Sequence, residues 1–349
     1  EWPKGSGKML PPPDLGHVAR HVGRTSRATC GSCHFFGGGG EGVKHGVMDA
    51  SLVSPDRTVD VHMSPQGGDL SCTDCHTTVN HQIAGRYYDQ PAYEDRAFVR
   101  RGVPQSVLGC ETCHGDRPHP RHPKLNDHTD KVACQSCHIP EFARVNSTKM
   151  WWDWSKAGTR NQEGKPIKKM QDGRPVYDGM KGDFRWEKNV KPEYFWYTGV
   201  LRNVLLTDKI DPGKVVKLNY AEGSYSDPKA RIYPFKVHRG KQPYDKVHKT
   251  MVVPRIFGPK GSGAYWGDYD WKTAITKGME YNNLPFSGEY DFVETEYVFQ
   301  TTHMVAPKDK SLTCTECHSK NGRLANLAGF YLPGRDGNRA LNIIGWAAV

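Results

Sequence analysis

Five copies of Cys-x-x-Cys-His run along this chain and use every cysteine it contains. They are Cys30, Cys33 and His34; Cys72, Cys75 and His76; Cys110, Cys113 and His114; Cys134, Cys137 and His138; and Cys314, Cys317 and His318. This spacing is the attachment signature of a c-type haem: two thiols add across the vinyl groups, and the adjacent histidine sits under the iron as an axial ligand. Other uses of paired cysteines fit less well. Structural zinc draws four ligands from separated pairs and does not need a histidine directly after each pair. A thioredoxin-like motif needs only one Cys-x-x-Cys in a βαβ setting. Disulfides across two residues close small strained loops. The expected cofactors are therefore five covalently bound haem c, and moving electrons is the implied business of the chain.

That cofactor load changes how the composition reads. Among 349 residues, 37 are glycine and 24 proline, and the apolar content is modest. Without cofactors this mixture would be loop-rich and thinly cored. Five porphyrins supply large apolar plates to wrap. The expected fold class is a multihaem cytochrome c: mainly short helices and long loops around haems, with a haem-free, aromatic-rich segment containing some short strands. The formal charge of +10 suggests an anionic partner. However, haem propionates would bring about −5 to −10, leaving a holoprotein nearer neutral. The basic residues are scattered without a stripe or motif, so no nucleic-acid partner is expected. No apolar run approaches the length of a membrane span. Covalent haem attachment is completed outside the cytoplasm, so the chain reads as a mature exported protein without its leader, periplasmic or extracellular.

Four regions are expected. Residues 1–29 form a basic, proline-rich extended arm, in which His17 and His21 would share a face if helical. Residues 30–145 carry four motifs, with first cysteines 42, 38 and 24 residues apart. Residues 146–300 are haem-free and aromatic-rich. Here 214–218 and 232–237 read as short strands and 271–280 as a helix. The aromatics read as a core that also packs on porphyrin edges. Residues 301–349 carry the fifth motif, which must return to another haem in space.

Sixteen histidines less five motif ligands leave eleven for the sixth coordination positions. Low-spin electron-transfer haems carry a second axial histidine or methionine. His62 and His128 lie ten and six residues ahead of a motif cysteine. His81 and His119 each follow a motif histidine by five residues, and His303 precedes Cys314 by eleven. These five are the distal candidates. His122 lies among prolines. His238 and His248 sit in a Lys-rich stretch and are expected to be exposed. His17 and His21 stay open, including donation to a neighbouring subunit. Methionine ligation by Met63 or Met304 is the weaker option.

Residues 30–46 read CGSCHFFGGGGEGVKHG, 67–72 GGDLSC, 134–140 CQSCHIP, 151–155 WWDWS and 231–235 RIYPF. In these stretches, spread over most of its length, the chain resembles the octahaem tetrathionate reductase family. The resemblance implies close haem packing and reduction of small sulfur or nitrogen oxyanions at one special haem. That haem has a lysine axial ligand and a nearby acid. Carried over, the lysine is Lys44 and the acid Glu41, beside the haem on Cys30, Cys33 and His34. On the residues alone, either Lys44 or His45 could be the distal ligand there. The chain has five motifs rather than eight. It has no free cysteine to match the one near that family's active haem, and an N-terminal haem-bearing segment of the family is not in it.

Two functions follow as expectations. One is a conduit or relay serving redox partner proteins or other cytochromes, including as a homo-oligomer or the repeating unit of an extracellular filament. The other is a reductase of tetrathionate, nitrite or hydroxylamine at the first haem, with Lys44 and Glu41 as its catalytic residues.

Overall fold

The computed structural model describes residues 14–76, 78–79, 82–83 and 109–347. Within them, each Cys-x-x-Cys-His motif lies on a short helix: Arg27–His34, Cys72–Cys75, Glu111–His114, Cys134–His138 and Cys314–Cys317. One helical turn puts residues three apart on the same face, so both thiols of a motif point the same way. The starts of these turns are written in the sequence. Ser26 caps the first by accepting the Thr29 N–H. Ser71 with Asp74, and Thr313 with Glu316, form reciprocal capping boxes directly before the motif cysteines. Such caps satisfy backbone donors that a four-residue helix otherwise leaves open.

The aromatic-rich segment is more regular than short strands imply. It builds a nine-stranded mixed sheet around two long strands, Arg231–Asp245 and Tyr290–Gln300. These two pair antiparallel along eleven residue positions, from Phe235 opposite Gln300 to Asp245 opposite Tyr290. On the other side of Arg231–Asp245, Thr148–Asp153 pairs in parallel, followed by Gly182–Glu187, Arg174–Asp178 and Lys168–Gln171. Glu193–Tyr197 pairs with the start of the long strand, opposite 231–234. Gly240 is required at the parallel junction, because a Cβ there would lie 2.2 Å from the Trp152 carbonyl oxygen. The stretch read as 232–237 is thus the first part of a fifteen-residue strand, whereas 214–218 contributes only Val216–Lys217. A helix, Trp271–Tyr281, occupies the stretch read as helical.

The aromatics do pack a core. Tyr265 stacks on Trp271 at 3.9 Å between ring centres, Trp152 stacks on Trp154 at 4.6 Å, and Phe292 meets Trp271 edge-on. Tyr194, Trp196 and Ile232 pack against Leu324 and Leu332, so the sheet carries the segment beyond the fifth motif. The segment leading into the fifth motif is also tied back by hydrogen bonds: the Ala306 and Leu312 N–H groups donate to the carbonyls of His138 and Cys137. Arg335 gathers the carbonyls of Leu324, Leu327 and Phe330 while pairing with Asp336. The described part of the N-terminal arm is not extended throughout. Leu15–Arg20 is a helix capped by Asp14, and His17 and His21 stack at 3.9 Å. No helix among the described residues is long and apolar enough to cross a membrane.

Candidate metal centres

Four pairs of histidines face each other with the same separation. His62 and His114, His76 and His303, His119 and His138, and His128 and His318 each have ring centres 6.1 Å apart. Stacked imidazoles in van der Waals contact would be closer, and unrelated rings would not share one value. A first-row metal binds an imidazole nitrogen at about 2.0 Å, and the ring centre lies about 1.1 Å further on each side. A metal held between two imidazoles therefore puts their centres about 6.2 Å apart. Each pair joins one motif histidine to one non-motif histidine, as a haem iron with two axial histidines requires. The donor sets fit the group, and the motif thiols stand beside them.

The pairing does not follow sequence proximity. His62 lies ahead of the second motif but faces the third, and His119 follows the third but faces the fourth. His128 precedes the fourth and faces the fifth, while His303 precedes the fifth and faces the second. His81 lies outside the described residues.

Neighbouring groups hold several of these histidines in place. Asn126, 6% exposed, accepts the His119 N–H and donates its amide to the His119 carbonyl, at 2.9 and 3.0 Å. The Nδ1 of His128 lies 2.9 Å from the Lys124 carbonyl, and that of His318 lies 3.2 Å from the Pro333 carbonyl. A carbonyl at Nδ1 fixes the proton there and leaves Nε2 as the electron-pair donor. Burial, with a lesser contribution from the facing His76, pushes His303 down to about 4. Burial likewise lowers His138, His318 and His119. Neutral imidazole is the form that binds a metal.

The motifs form a row in sequence order. Beside burial, Cys30 raises the Cys72 thiol, and Cys134 raises that of Cys110. Cys113 acts on Cys75, and Cys317 on Cys137, strongly enough to raise their pKa after burial has done so. Each motif therefore lies near the next. A groove of about 790 Å³ beside Cys110 and Cys134 is walled by Tyr197 and Tyr233 and edged by Lys131 and Arg231.

The first motif has different company. Val43, Lys44 and His45 fold back over the end of its helix through glycines 37–40; Gly38 holds φ +79° with a Cβ position 3.1 Å from Val43. The Lys44 Nζ lies 5.7 Å from the centre of the Phe299 ring, and His45 meets the same ring edge-on at 5.5 Å. Burial lowers the Lys44 amine. It pushes His45 to about 3, helped by the positive charges of Lys44, Lys236, His303 and His34. Glu41 is occupied elsewhere: it accepts the Ala50 N–H at 2.9 Å and the Asn146 amide at 3.4 Å, and it pairs with Arg174 at 3.6 Å. It braces the loop that carries Lys44.

Several residues here gave no signal in the sequence reading. Lys236, 1% exposed, donates to the carbonyls of Val43 and Lys44 and to Thr148 Oγ1, locking that loop to the sheet. His238 was expected on the surface but is also 1% exposed; it stacks on Tyr297 with Nδ1 3.1 Å from the Lys149 carbonyl. It is buried because residues 234–238 of this central strand are covered on both faces of the sheet. His248 is half-exposed and pairs with Asp245.

Comparisons with known proteins point to cytochromes c. The family "Cytochrome c bacterial" matches residues 149–321, and "Cytochrome c7 and related cytochrome c" matches residues 57–143. Among solved structures, the chain is similar to an octaheme cytochrome c from Shewanella oneidensis, at 42% identity and a TM-score of 0.76, over 90% of this chain and 68% of that one. No curated protein matches.

Proposed function

We propose an electron-relay function from one premise: the chain belongs to the multihaem c-type cytochromes, in the family of the octahaem cytochrome c. Covalently bound c-type haem and electron transfer come with that membership. What we add is the count, the ligands and the order. Five haems are attached through the five motifs. His303, His62, His119 and His128 are the sixth ligands opposite His76, His114, His138 and His318, and Lys44 is the sixth ligand opposite His34. When bound, these haems supply reversible one-electron chemistry at iron.

The observation that carries the reading is the unbroken row of motif helices, each with a cysteine beside a cysteine of the next. The polypeptide does the work of placement. Short capped helices aim the thiols, Asn126 holds the His119 backbone, and the Lys124 and Pro333 carbonyls fix the imidazoles of His128 and His318. The sheet braces the two distant ends of the chain against each other. Pairs of strong-field histidines leave no position for substrate at four of the sites. The donor and acceptor are other redox proteins outside the cytoplasm, reached from the two ends of the row.

A second reading, reduction of a small oxyanion at the first site, is favoured by Lys44 alone. A half-buried neutral amine is a weaker and more exchangeable ligand than imidazole, and it carries a cation when released. Film voltammetry of the haem-loaded chain tests between the two. A relay gives reversible waves that nitrite, hydroxylamine and tetrathionate leave unchanged. A catalytic current growing with any of these would replace the relay with the reductase.

A further inference from the structure

The sixth ligands of the second and third sites come from opposite ends of the sequence, yet one side chain holds both. Asp60 is 1% exposed. Its Oδ1 accepts the N–H groups of His62 and Met63 at 2.8 and 2.9 Å. Its Oδ2 accepts those of Met304 and Val305 at 2.8 and 3.2 Å. The Val61 N–H adds a bond to the Val305 carbonyl at 3.0 Å. A single carboxylate thus fills all its acceptor directions with backbone flanking His62 and His303, residues more than two hundred positions apart. Four charge-assisted bonds to backbone fix two loops that have no sheet or helix of their own. The second loop is further held by Arg144, whose guanidinium donates to the carbonyls of Thr58 and Met304.

We infer that Asp60 is a shared positioning residue: it sets the placement of both distal imidazoles and, as a buried negative charge, holds the two adjacent sites toward their oxidised state. The inference rests on the assignment of His62 and His303 as iron ligands. Through these bonds the Asp60 carboxylate lies against the backbone of His62 and of Met304, next to His303. Arg144 supplies the opposing charge. In a water-poor interior such charges act at an effective dielectric far below that of water. A negative charge stabilises ferric over ferrous iron, so its loss favours reduction.

The test is an EPR-monitored redox titration of the full haem-loaded chain carrying Asp60→Asn or Arg144→Gln. Arg144→Gln removes charge and keeps a donor, whereas Asp60→Asn removes charge and keeps one accepting oxygen, its amide N–H2 opposing two of the four backbone N–H donors. Asp60→Asn is expected to raise the reduction equilibrium constant of two of the five haems roughly tenfold each, about 59 mV. Arg144→Gln is expected to move the same two in the opposite direction. A change in placement alone has no reason to reverse sign between the variants. Unmoved potentials in both variants, or shifts of the same sign, would overturn the inference. If Asp60→Asn does not take up five haems, Arg144→Gln decides: a downward shift at two haems supports the inference, and its absence removes it. Separate His62→Ala and His303→Ala chains keep the underlying assignment distinguishable. Each should turn one low-spin haem high-spin. If neither does, the ligand reading has failed; if both do while the charge variants stay silent, only the role of Asp60 has.

Discussion

Electron paramagnetic resonance of the oxidised, haem-loaded chain should contain a rhombic low-spin signal that vanishes in His119→Ala and a far more anisotropic one that vanishes in His128→Ala. A high-spin signal replaces the lost one in each case. The difference follows from ring geometry. The planes of His119 and His138 are 5° apart, whereas those of His128 and His318 are 77° apart. Parallel axial imidazoles act on the same iron d orbital and split it from its partner. Nearly perpendicular ones act on both equally, leave them close in energy, and stretch the g-anisotropy. The effect is large because removing an axial nitrogen changes the spin state of one iron outright while the other four keep theirs. A His119→Ala chain whose low-spin signals match the parent in number and shape would show that His119 is not a ligand.

At the first site, Lys44→Ala should produce a five-coordinate, high-spin iron that binds cyanide or nitrite, whereas His45→Ala should leave the spin state as it was. Lys44 sits on the loop braced by Lys236 and Glu41, and burial lowers its amine pKa, the direction a ligand amine requires. His45 has its ring edge against Phe299. Integrated high-spin intensity should rise from near zero to one iron per chain in Lys44→Ala only. The reverse pattern would assign the site to His45 and withdraw the argument for an exchangeable ligand there.

The parts of this arrangement that were legible in the sequence are the local ones. Ser71 with Asp74 and Thr313 with Glu316 announce helix starts three residues ahead, because a capping box is a short-range exchange of hydrogen bonds. His62, His119, His128 and His303 were legible as ligand candidates, since five expected haems would need partners and these four lie within eleven residues of a motif. Which motif histidine each one faces was not legible. That depends on the segment after the sheet returning to the fourth motif through the bonds from Ala306 and Leu312, a contact across some 170 residues. The sheet was underestimated because Pro234, Gly240 and Pro243 break the usual pattern of a strand; Gly240 is there for close approach to Trp152 rather than for a turn. Asp60 gave one faint cue: an aspartate two residues before a candidate ligand is placed to accept backbone N–H groups in an Asx turn. Its second pair of donors arrives from residues 304 and 305, which no local pattern reveals.

The central claim is that five irons lie in a row on this polypeptide, four of them between named histidine pairs. An anomalous difference map collected at the iron edge from crystals of the haem-loaded chain tests it in one experiment. Five peaks are expected, four of them midway between His62 and His114, His76 and His303, His119 and His138, and His128 and His318, with the fifth between His34 and Lys44. Fewer peaks, or any of those four standing away from its pair, would contradict it.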